Sequence, residues 1–365
     1  MKVKKIIMLL AAVFCCLLLP QPSFASEFNF AVTPKTSANQ IDKTKTYFDL
    51  LLAPNQADEL SVALRNDTEQ KVIVEAQINS ATTNGNGVVE YSQNEIKADE
   101  TLQYNIKDFV KAPSEVSLAP HSAAEYKIKI QMPNEKFSGV IAGGITFKEK
   151  AAKTDNSTAK QEDKGLAIKN EYSYVVALLM RQTTDNGAPN LKLTKVAADQ
   201  RNARNVIQGN LQNPNPTYLN QLATKTTISK KGSDTALYTS EKKGMQMAPN
   251  SNFDLAVALN GEALKAGKYT MKIEAYGQQD EKGQFKFIGD GHKETNYHYH
   301  WSLSKDFEIK AEVAKKLNDS DVTIKKDYTW VYILIGILLL LLLILFFIIW
   351  RRKKNKADDE AKSSN

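Results

Sequence analysis

Residues 268–276 read KYTMKIEAY, so apolar and polar side chains alternate along the segment. A period of two places alternate side chains on opposite faces of an extended chain and predicts a half-buried β-strand. The same alternation recurs in KVIVEAQI (71–78), EYKIKI (125–130), LKLTKV (191–196) and FDLAVAL (253–259). Turn-forming Asn, Gly and Pro separate these strands, and we find no amphipathic helical pattern before residue 329. The sequence therefore predicts an all-β chain of two tandem immunoglobulin-like β-sandwich domains.

The boundary between the two sandwiches depends on a charged stretch, residues 149–169, which lies between apolar segments 140–147 and 172–181. Its composition is typical of an interdomain linker. The alternative is a long exposed hairpin loop whose flanking strands pair. We prefer the hairpin, because it gives the first domain about seven strands, the number of an immunoglobulin-like sandwich. The predicted first sandwich is then 26–182, the linker 183–189 and the second sandwich 190–310.

An apolar run near the end of the chain predicts a membrane anchor. Residues 330–350 carry no charge and consist mainly of Leu and Ile, which suits a helix that crosses a bilayer. Arg351, Arg352, Lys353 and Lys354 follow at once. Basic residues remain on the cytoplasmic side, so we expect a transmembrane helix at 329–350 and a cytoplasmic tail at 351–365. Residues 311–328 would be a juxtamembrane spacer, with the rest outside the cell membrane.

The first 25 residues have the pattern of a signal peptide: a basic start, an apolar run and small residues before a cleavage point after Ala25. Both cysteines of the sequence, Cys15 and Cys16, lie in this segment. The expected mature chain therefore has no disulfide and must bury enough apolar surface unaided.

The overall charge of +7 is concentrated at the two ends of the chain. Three lysines precede Ala25, and six basic and three acidic residues follow Trp350, which leaves 39 basic and 38 acidic residues between them. A nucleic-acid-binding surface needs a concentrated basic excess. We therefore predict that the exterior binds no nucleic acid.

Several segments resemble the WxL-interacting proteins of Gram-positive bacteria. They read FNFAVTP (28–34), INSATTNGNG (78–87), FSGVIAGGITF (137–147), RNVI (204–207) and MQMAPNS (245–251). The resemblance covers roughly residues 28–305 and the arrangement of the anchor. It implies a first domain that binds peptidoglycan and a second domain that binds WxL-domain surface proteins or host extracellular proteins. The family consists of binding scaffolds rather than enzymes.

The polar segment 79–91 is our candidate peptidoglycan-binding surface. Its amides and hydroxyls can form hydrogen bonds with sugars and peptides, and its tyrosine offers a stacking face. The alternative is a plain turn-rich connection, because Asn and Gly readily adopt positive φ angles. The predicted binding residues are Asn79, Thr82, Thr83, Asn84, Asn86 and Tyr91.

Other motifs favour structural roles. Gly143 and Gly144 interrupt an apolar strand, which indicates a β-bulge or, less readily, a close backbone approach. His292, His298 and His300 do not have the spacing of a zinc site, and we predict neither metal nor cofactor. Trp301-Ser302-Leu303 spells W-x-L. Because Trp301 and Leu303 are two residues apart, their side chains lie on the same face of a strand, and we expect them to pack in the core.

Catalysis has little support in the sequence. The mature chain has no cysteine and no G-x-S-x-G motif. We therefore predict no catalytic residues and a non-enzymatic scaffold, anchored to membrane lipid by its helix. A wall-glycan hydrolase remains the alternative, because paired carboxylates need not be adjacent in sequence. A signalling receptor would need an output domain, for which a tail of about 15 residues is too short.

Overall fold

The computed structural model describes residues 29–150, 172–291, 294–324 and 329–363, with side chains as far as Arg351. The predicted signal peptide and nearly all of the charged stretch 149–169 lie outside these residues. The described chain is mostly β-structure arranged in two sandwiches, as the alternating segments predict.

The first sandwich packs a four-stranded sheet, β1-β3-β9-β7, against a five-stranded sheet, β2-β11-β10-β4-β8. A small hairpin, β5-β6, and a one-turn helix, α1, complete it. The elements are β1 (Ala31–Pro34), β2 (Phe48–Leu51), β3 (Ala57–Asn66), β4 (Val72–Ser80), β5 (Thr82–Thr83), β6 (Val89–Glu90), α1 (Ile106–Phe109), β7 (Val110–Lys111), β8 (Glu115–Leu118), β9 (Ser122–Gln131), β10 (Ile141–Glu149) and β11 (Ser173–Arg181).

The second sandwich packs a three-stranded sheet, β12-β13-β16, against a five-stranded sheet, β15-β14-β17-β19-β18. Two helices follow it in the chain. The elements are β12 (Lys192–Arg201), β13 (Arg204–Asn213), β14 (Leu219–Lys230), β15 (Ala236–Met247), β16 (Ser251–Ala258), β17 (Gly267–Gln279), β18 (Phe285–Ile288), β19 (Glu294–Ile309), α2 (Ala311–Ser320) and α3 (Thr329–Ser363).

The alternation read from the sequence determines which side chains enter each core. In β17, Tyr269, Met271 and Ile273 are buried in the second core, while the residues between them face outward. The period of two therefore turns one face of the strand inward. Trp301 and Leu303 pack against the same core, which confirms the structural interpretation of the W-x-L tripeptide.

β11 belongs to the sheet of the first sandwich. It pairs antiparallel with β10 and parallel with β2. Val176, Leu178 and Met180 are buried in the first core, whereas Tyr172 is exposed. The pairing that the hairpin interpretation requires is therefore present, although the connecting segment 151–171 lies outside the described residues.

The expected bulge at Gly143 and Gly144 is wrong. β10 pairs without a break in register with both neighbours. A Cβ atom on Gly143 would lie 2.4 Å from the backbone oxygen of Asn79, and one on Gly144 would lie 2.7 Å from Cβ of Tyr91. The glycines thus permit a close approach by the segment 79–91, the alternative that the sequence left open.

The expectation of no helix before the membrane segment is also wrong. α2 packs on the second sandwich through Ala314, which is buried, and Leu317. It has only ten residues, and its apolar stripe, Val313, Ala314 and Leu317, covers little more than one turn, so the helical pattern in its sequence is short. α3 contains an apolar stretch, Thr329–Arg351, that is long enough to cross a membrane. The helix continues beyond that stretch to Ser363.

Candidate functional site

The two sandwiches meet along a junction that is closed by backbone hydrogen bonds. The Val140 amide donates to the Pro216 carbonyl oxygen at 2.7 Å, and the Gln246 amide donates to that of Gly87 at the same distance. Even the predicted linker 183–189 is held on both sides. The Ser138 hydroxyl donates to the carbonyl oxygen of Asp185, and the Asn215 amide group donates to that of Ala188.

A small apolar cluster, here called the junction cluster, fills the centre of this contact. Its buried members are Ala81, Val89, Val140, Ala142, Leu179 and Ala248, with Tyr47, Tyr91 and Tyr218 packed around them. The hydroxyl groups of Tyr91 and Tyr218 are 3.1 Å apart and join the two sandwiches. Burial raises the pKa of Tyr218 well above its usual value, so the phenol remains protonated and able to donate.

Two buried polar groups of the first sandwich bind partners on the second. The Thr83 hydroxyl oxygen lies 2.6 Å from that of Ser251 and accepts a hydrogen bond from the Ala248 amide. The Asp99 carboxylate accepts hydrogen bonds from the side-chain amides of Gln212 and Asn252. Because buried polar groups are costly without partners, these contacts hold the sandwiches in one relative position.

Asp99 is ionised in this setting. Burial tends to raise its pKa, but hydrogen bonds from Thr101, Gln212 and Asn252 outweigh that effect and leave the pKa below its usual value of 3.8. These donors stabilise the charged form. The carboxylate therefore acts as an acceptor between the two sandwiches throughout the physiological pH range.

A polar cleft of about 170 Å³ opens beside the junction. Its walls come from the end of β4, the loop 92–107 and the turn before β16. The side chains that line it are mostly amides and hydroxyls, with two lysines on the rim. They include Asn79, Ser80, Thr82, Thr83, Ser92, Asn94, Lys97, Asp99, Asn105, Lys107, Asn250, Ser251 and Asn252.

The structure brings together only part of the predicted binding set. Asn79, Thr82 and Thr83 line the cleft, although the Thr83 hydroxyl is also engaged across the junction. Asn84 closes its own turn by accepting from the backbone amides of residues 86 and 88. Asn86 lines a different groove, next to Arg201 and Arg204.

Tyr91, the sixth predicted residue, lies in the junction, where its hydroxyl contacts that of Tyr218. Sequence reasoning missed the cleft residues contributed by the loop 92–107 and by the second sandwich. Asn250 and Asn252 are far from Asn79 in the chain, so only the tertiary fold brings them together. The polar run Ser92–Asn94, directly after the predicted segment, was the one local signal available.

The histidines do not converge on one site. Nε2 of His298 lies 3.3 Å from Oδ2 of Asp280, while Nε2 of His300 lies 2.7 Å from Oε2 of Glu274. His292 lies outside the described residues. Within the part of the chain that the structure describes, no three His, Cys, Asp or Glu side chains are grouped to hold a metal ion.

Two joined β-sandwiches with a polar cleft at their contact define a two-domain, all-β protein. Sequence comparison identifies the family. Residues 30–149 match the model described as "WxL Interacting Protein, peptidoglycan binding domain", and residues 163–319 match "WxL Interacting Protein, host binding domain". The chain therefore belongs to the WxL-interacting protein family. The second match begins before β11, although that strand pairs in the first sandwich.

Solved structures with a related arrangement are distant. The CupB2 chaperone of Pseudomonas aeruginosa is 12% identical with a TM-score of 0.26, covering 69% of this chain and 95% of its own. The E. coli chaperone DraB is 14% identical with a TM-score of 0.26, covering 78% and 98%. The PapD-like domain 7 of human CEP192 is 12% identical with a TM-score of 0.26, covering 45% and 93%. No curated protein matches the chain in sequence.

Three of the segments that carry the family resemblance meet at the junction. INSATTNGNG (78–87), FSGVIAGGITF (137–147) and MQMAPNS (245–251) are far apart in sequence. They supply Ala81, Val140, Ala142 and Ala248 to the junction cluster. These three segments thus lie where the two sandwiches are joined.

Proposed function

We propose that this protein is a non-enzymatic scaffold, anchored in the cell membrane, that binds peptidoglycan with its first domain and a protein with its second. The observation that carries the proposal is the polar cleft beside the junction, in a chain whose two sandwiches match a peptidoglycan-binding and a host-binding domain. WxL-domain surface proteins and host extracellular proteins are the proposed protein partners.

The cleft has the chemistry that a peptidoglycan fragment requires. N-acetylated sugars and peptide stems present amides and hydroxyls, which the Asn79 amide group and the Ser92 hydroxyl group can bind. Peptide stems also carry carboxylates, and Lys97 and Lys107 supply positive charge on the rim. Of the predicted loop, Asn79 and Thr82 are the residues that best fit this role.

Wall binding by the full chain tests the proposal. Lys97→Gln combined with Lys107→Gln removes both positive charges from the rim of the cleft and should weaken binding to purified cell walls about tenfold or more, because charge-assisted hydrogen bonds are the stronger ones. Lys136→Gln with Lys192→Gln makes the same charge changes outside the cleft and should have no effect. Equal binding by both variants would remove the cleft as the site.

The same experiment addresses the hydrolase alternative. A scaffold leaves the wall intact, whereas a hydrolase releases soluble muropeptides during incubation. Release of muropeptides by the purified chain would overturn the proposal that the protein is not an enzyme. It would also require a pair of carboxylates at suitable separation, and among the described residues Asp99 is the one carboxylate that lines the cleft.

The anchoring half of the proposal rests on the apolar stretch of α3 and the basic residues that follow it. The positive-inside tendency places the tail in the cytoplasm and both sandwiches outside. Protease added to intact cells from which the wall has been removed should therefore digest the sandwiches and spare a tag placed after Asn365. Loss of the tag together with the sandwiches would contradict this orientation.

For the second domain, the edge strand β18 is the surface that best fits a protein partner. Phe285 and Ile288 are 39% and 51% exposed on this strand. Exposed apolar side chains on an unpaired sheet edge favour contact with another chain. Phe285→Ser with Ile288→Ser should reduce capture of WxL-domain proteins. Leu237→Ser, which removes a side chain exposed to a similar extent on β15, should not.

A further inference from the structure

A second groove, here called the basic groove, opens on the side of the second sandwich where the two sheets are not joined. β15 and β16 are the edge strands of their sheets, and the groove lies between them. Its volume is about 750 Å³. The floor is apolar and contains Val206, Met245 and Leu255. The turn at Gly85 and Asn86 of the first sandwich closes one end.

The groove has three cationic side chains and no anionic one. Arg201, Arg204 and Lys242 line it, and none of its lining residues is Asp or Glu. Arg201 donates to the backbone carbonyl oxygens of Gly85 and Asp254, which do not neutralise its charge. Within the described residues, none of the three cations forms an ion pair. Three uncompensated positive charges in a concave site favour an anionic ligand.

The basic groove lies close in the chain to the proposed membrane anchor. Thr323 lines the groove. The segment around it is fastened to the sandwich: the buried Asp321 carboxylate accepts from the Asn205 amide at 2.7 Å, and the Val322 amide donates to the Ala203 carbonyl oxygen. Five residues lie between Thr323 and Thr329, the start of α3, and a fully extended chain from one to the other spans at most about 20 Å.

We propose that the basic groove binds the phosphate-bearing headgroup of an anionic membrane lipid. This inference rests on the proposed anchoring, because the short connection keeps the groove within reach of the bilayer surface. The planar guanidinium group of an arginine can donate two hydrogen bonds to the oxygens of one phosphate, and a lysine adds a point charge. The apolar floor distinguishes a lipid from a wholly polar wall polymer, since buried apolar surface gains free energy only by covering apolar atoms.

The test uses the full chain in nanodiscs that contain phosphatidylglycerol with a photoreactive group next to its glycerol. Illumination should crosslink the lipid to peptides that contain residues 201–206 and 240–245. Arg204→Gln combined with Lys242→Gln should reduce this crosslinking about tenfold or more, because both are exposed side chains that supply charge-assisted contacts. Lys315→Gln with Lys316→Gln makes the same charge change on α2, outside the groove, and should leave it unchanged.

The outcomes separate the two proposals. A chain that stays outside the nanodisc would overturn the anchor and the lipid assignment with it. If the chain is embedded but crosslinks equally well with and without Arg204 and Lys242, the lipid does not bind in the basic groove, and only that assignment is overturned. In a last experiment, glycerol 1-phosphate is titrated into the chain in detergent, and chemical modification of the groove arginines is measured. If glycerol 1-phosphate protects these arginines while no lipid crosslinks in the groove, the groove binds a free phosphate compound and the proposal of a lipid ligand is overturned.

Discussion

At the scale of single residues, Asp99 is a buried side chain that connects the two domains. Its carboxylate is buried and accepts hydrogen bonds from Gln212 and Asn252 of the second sandwich. We expect Asp99→Asn to lower the free energy of unfolding by about 1–3 kcal/mol, because the substitution replaces one carboxylate oxygen with an NH2 group, which cannot accept a hydrogen bond from the donors that face it. Chemical denaturation of the full chain in detergent measures this. Asp67→Asn, at an exposed position, should be nearly neutral.

The same residue predicts a dependence on pH. The folded-state pKa of Asp99 is lower than its usual value of 3.8. Its stabilising contribution is therefore present in full above that usual value and is lost as the pH falls through the folded-state pKa. Thermal unfolding from pH 6 towards pH 2 should show a loss of stability that is smaller in Asp99→Asn. Identical acid profiles for the two proteins would contradict this role.

A further prediction at the scale of single residues concerns the close packing around Gly143. Gly143→Ala would place a Cβ atom against backbone, which cannot move aside as a flexible side chain can. We expect a loss of roughly 1–3 kcal/mol of unfolding free energy, the usual cost of overpacking. Gly291→Ala adds the same atom at a position where, among the described residues other than its chain neighbours, no atom lies within 4 Å, and it should change stability little. Equal denaturation midpoints for the two variants would argue against the close approach.

At the scale of elements, the strands could be predicted from the sequence, whereas the pairing between strands could be predicted only in part. Alternation identified segments such as 71–78 and 268–276, because each strand buries one face. The pairing of β10 with β11 could be inferred from the number of strands. The parallel pairing of β2 with β11 could not, since Phe48 and Leu178 are distant in sequence and nothing local marks them as partners. α2 was missed because its ten residues are fewer than the 11 to 18 over which a helical period can be recognised.

The prediction at the scale of elements concerns the hairpin formed by β10 and β11. Protease cleavage within 151–171 should leave the two fragments associated, because β11 is held by two neighbouring strands and buries Leu178 and Met180 in the first core. The fragments should elute together in gel filtration and separate only in denaturant. Two independent species in native buffer would instead support the linker interpretation of the charged stretch.

At the scale of the whole molecule, the junction was beyond sequence reasoning. The polar segment 79–91 was recognised as special, but its Thr83 and Tyr91 side chains contact the second sandwich. Composition cannot distinguish a polar loop that binds a ligand from one that binds a neighbouring domain. That distinction depends on what the fold places opposite the loop, here Ser251 and Tyr218.

The junction predicts cooperative unfolding. We expect one calorimetric transition for the two sandwiches of the native chain, because buried contacts connect them. Val140→Asp would place an unpaired carboxylate in the junction cluster, which is strongly unfavourable, and should split the transition into two. Val175→Asp, where the native side chain is 44% exposed, should retain a single transition. Two transitions in the native chain would show that the sandwiches unfold independently.

The fastening of the linker has a mechanical consequence. Ser138 and Asn215 hold residues 183–189 from either side, and the backbone hydrogen bonds of Val140 and Gln246 bridge the sandwiches directly. A tensile load applied to the cleft by a bound polymer would therefore reach the second sandwich through several contacts in parallel rather than through one stretch of chain. With the cleft on the wall and α3 in the membrane, as proposed, the molecule would transmit tension between them with little extension.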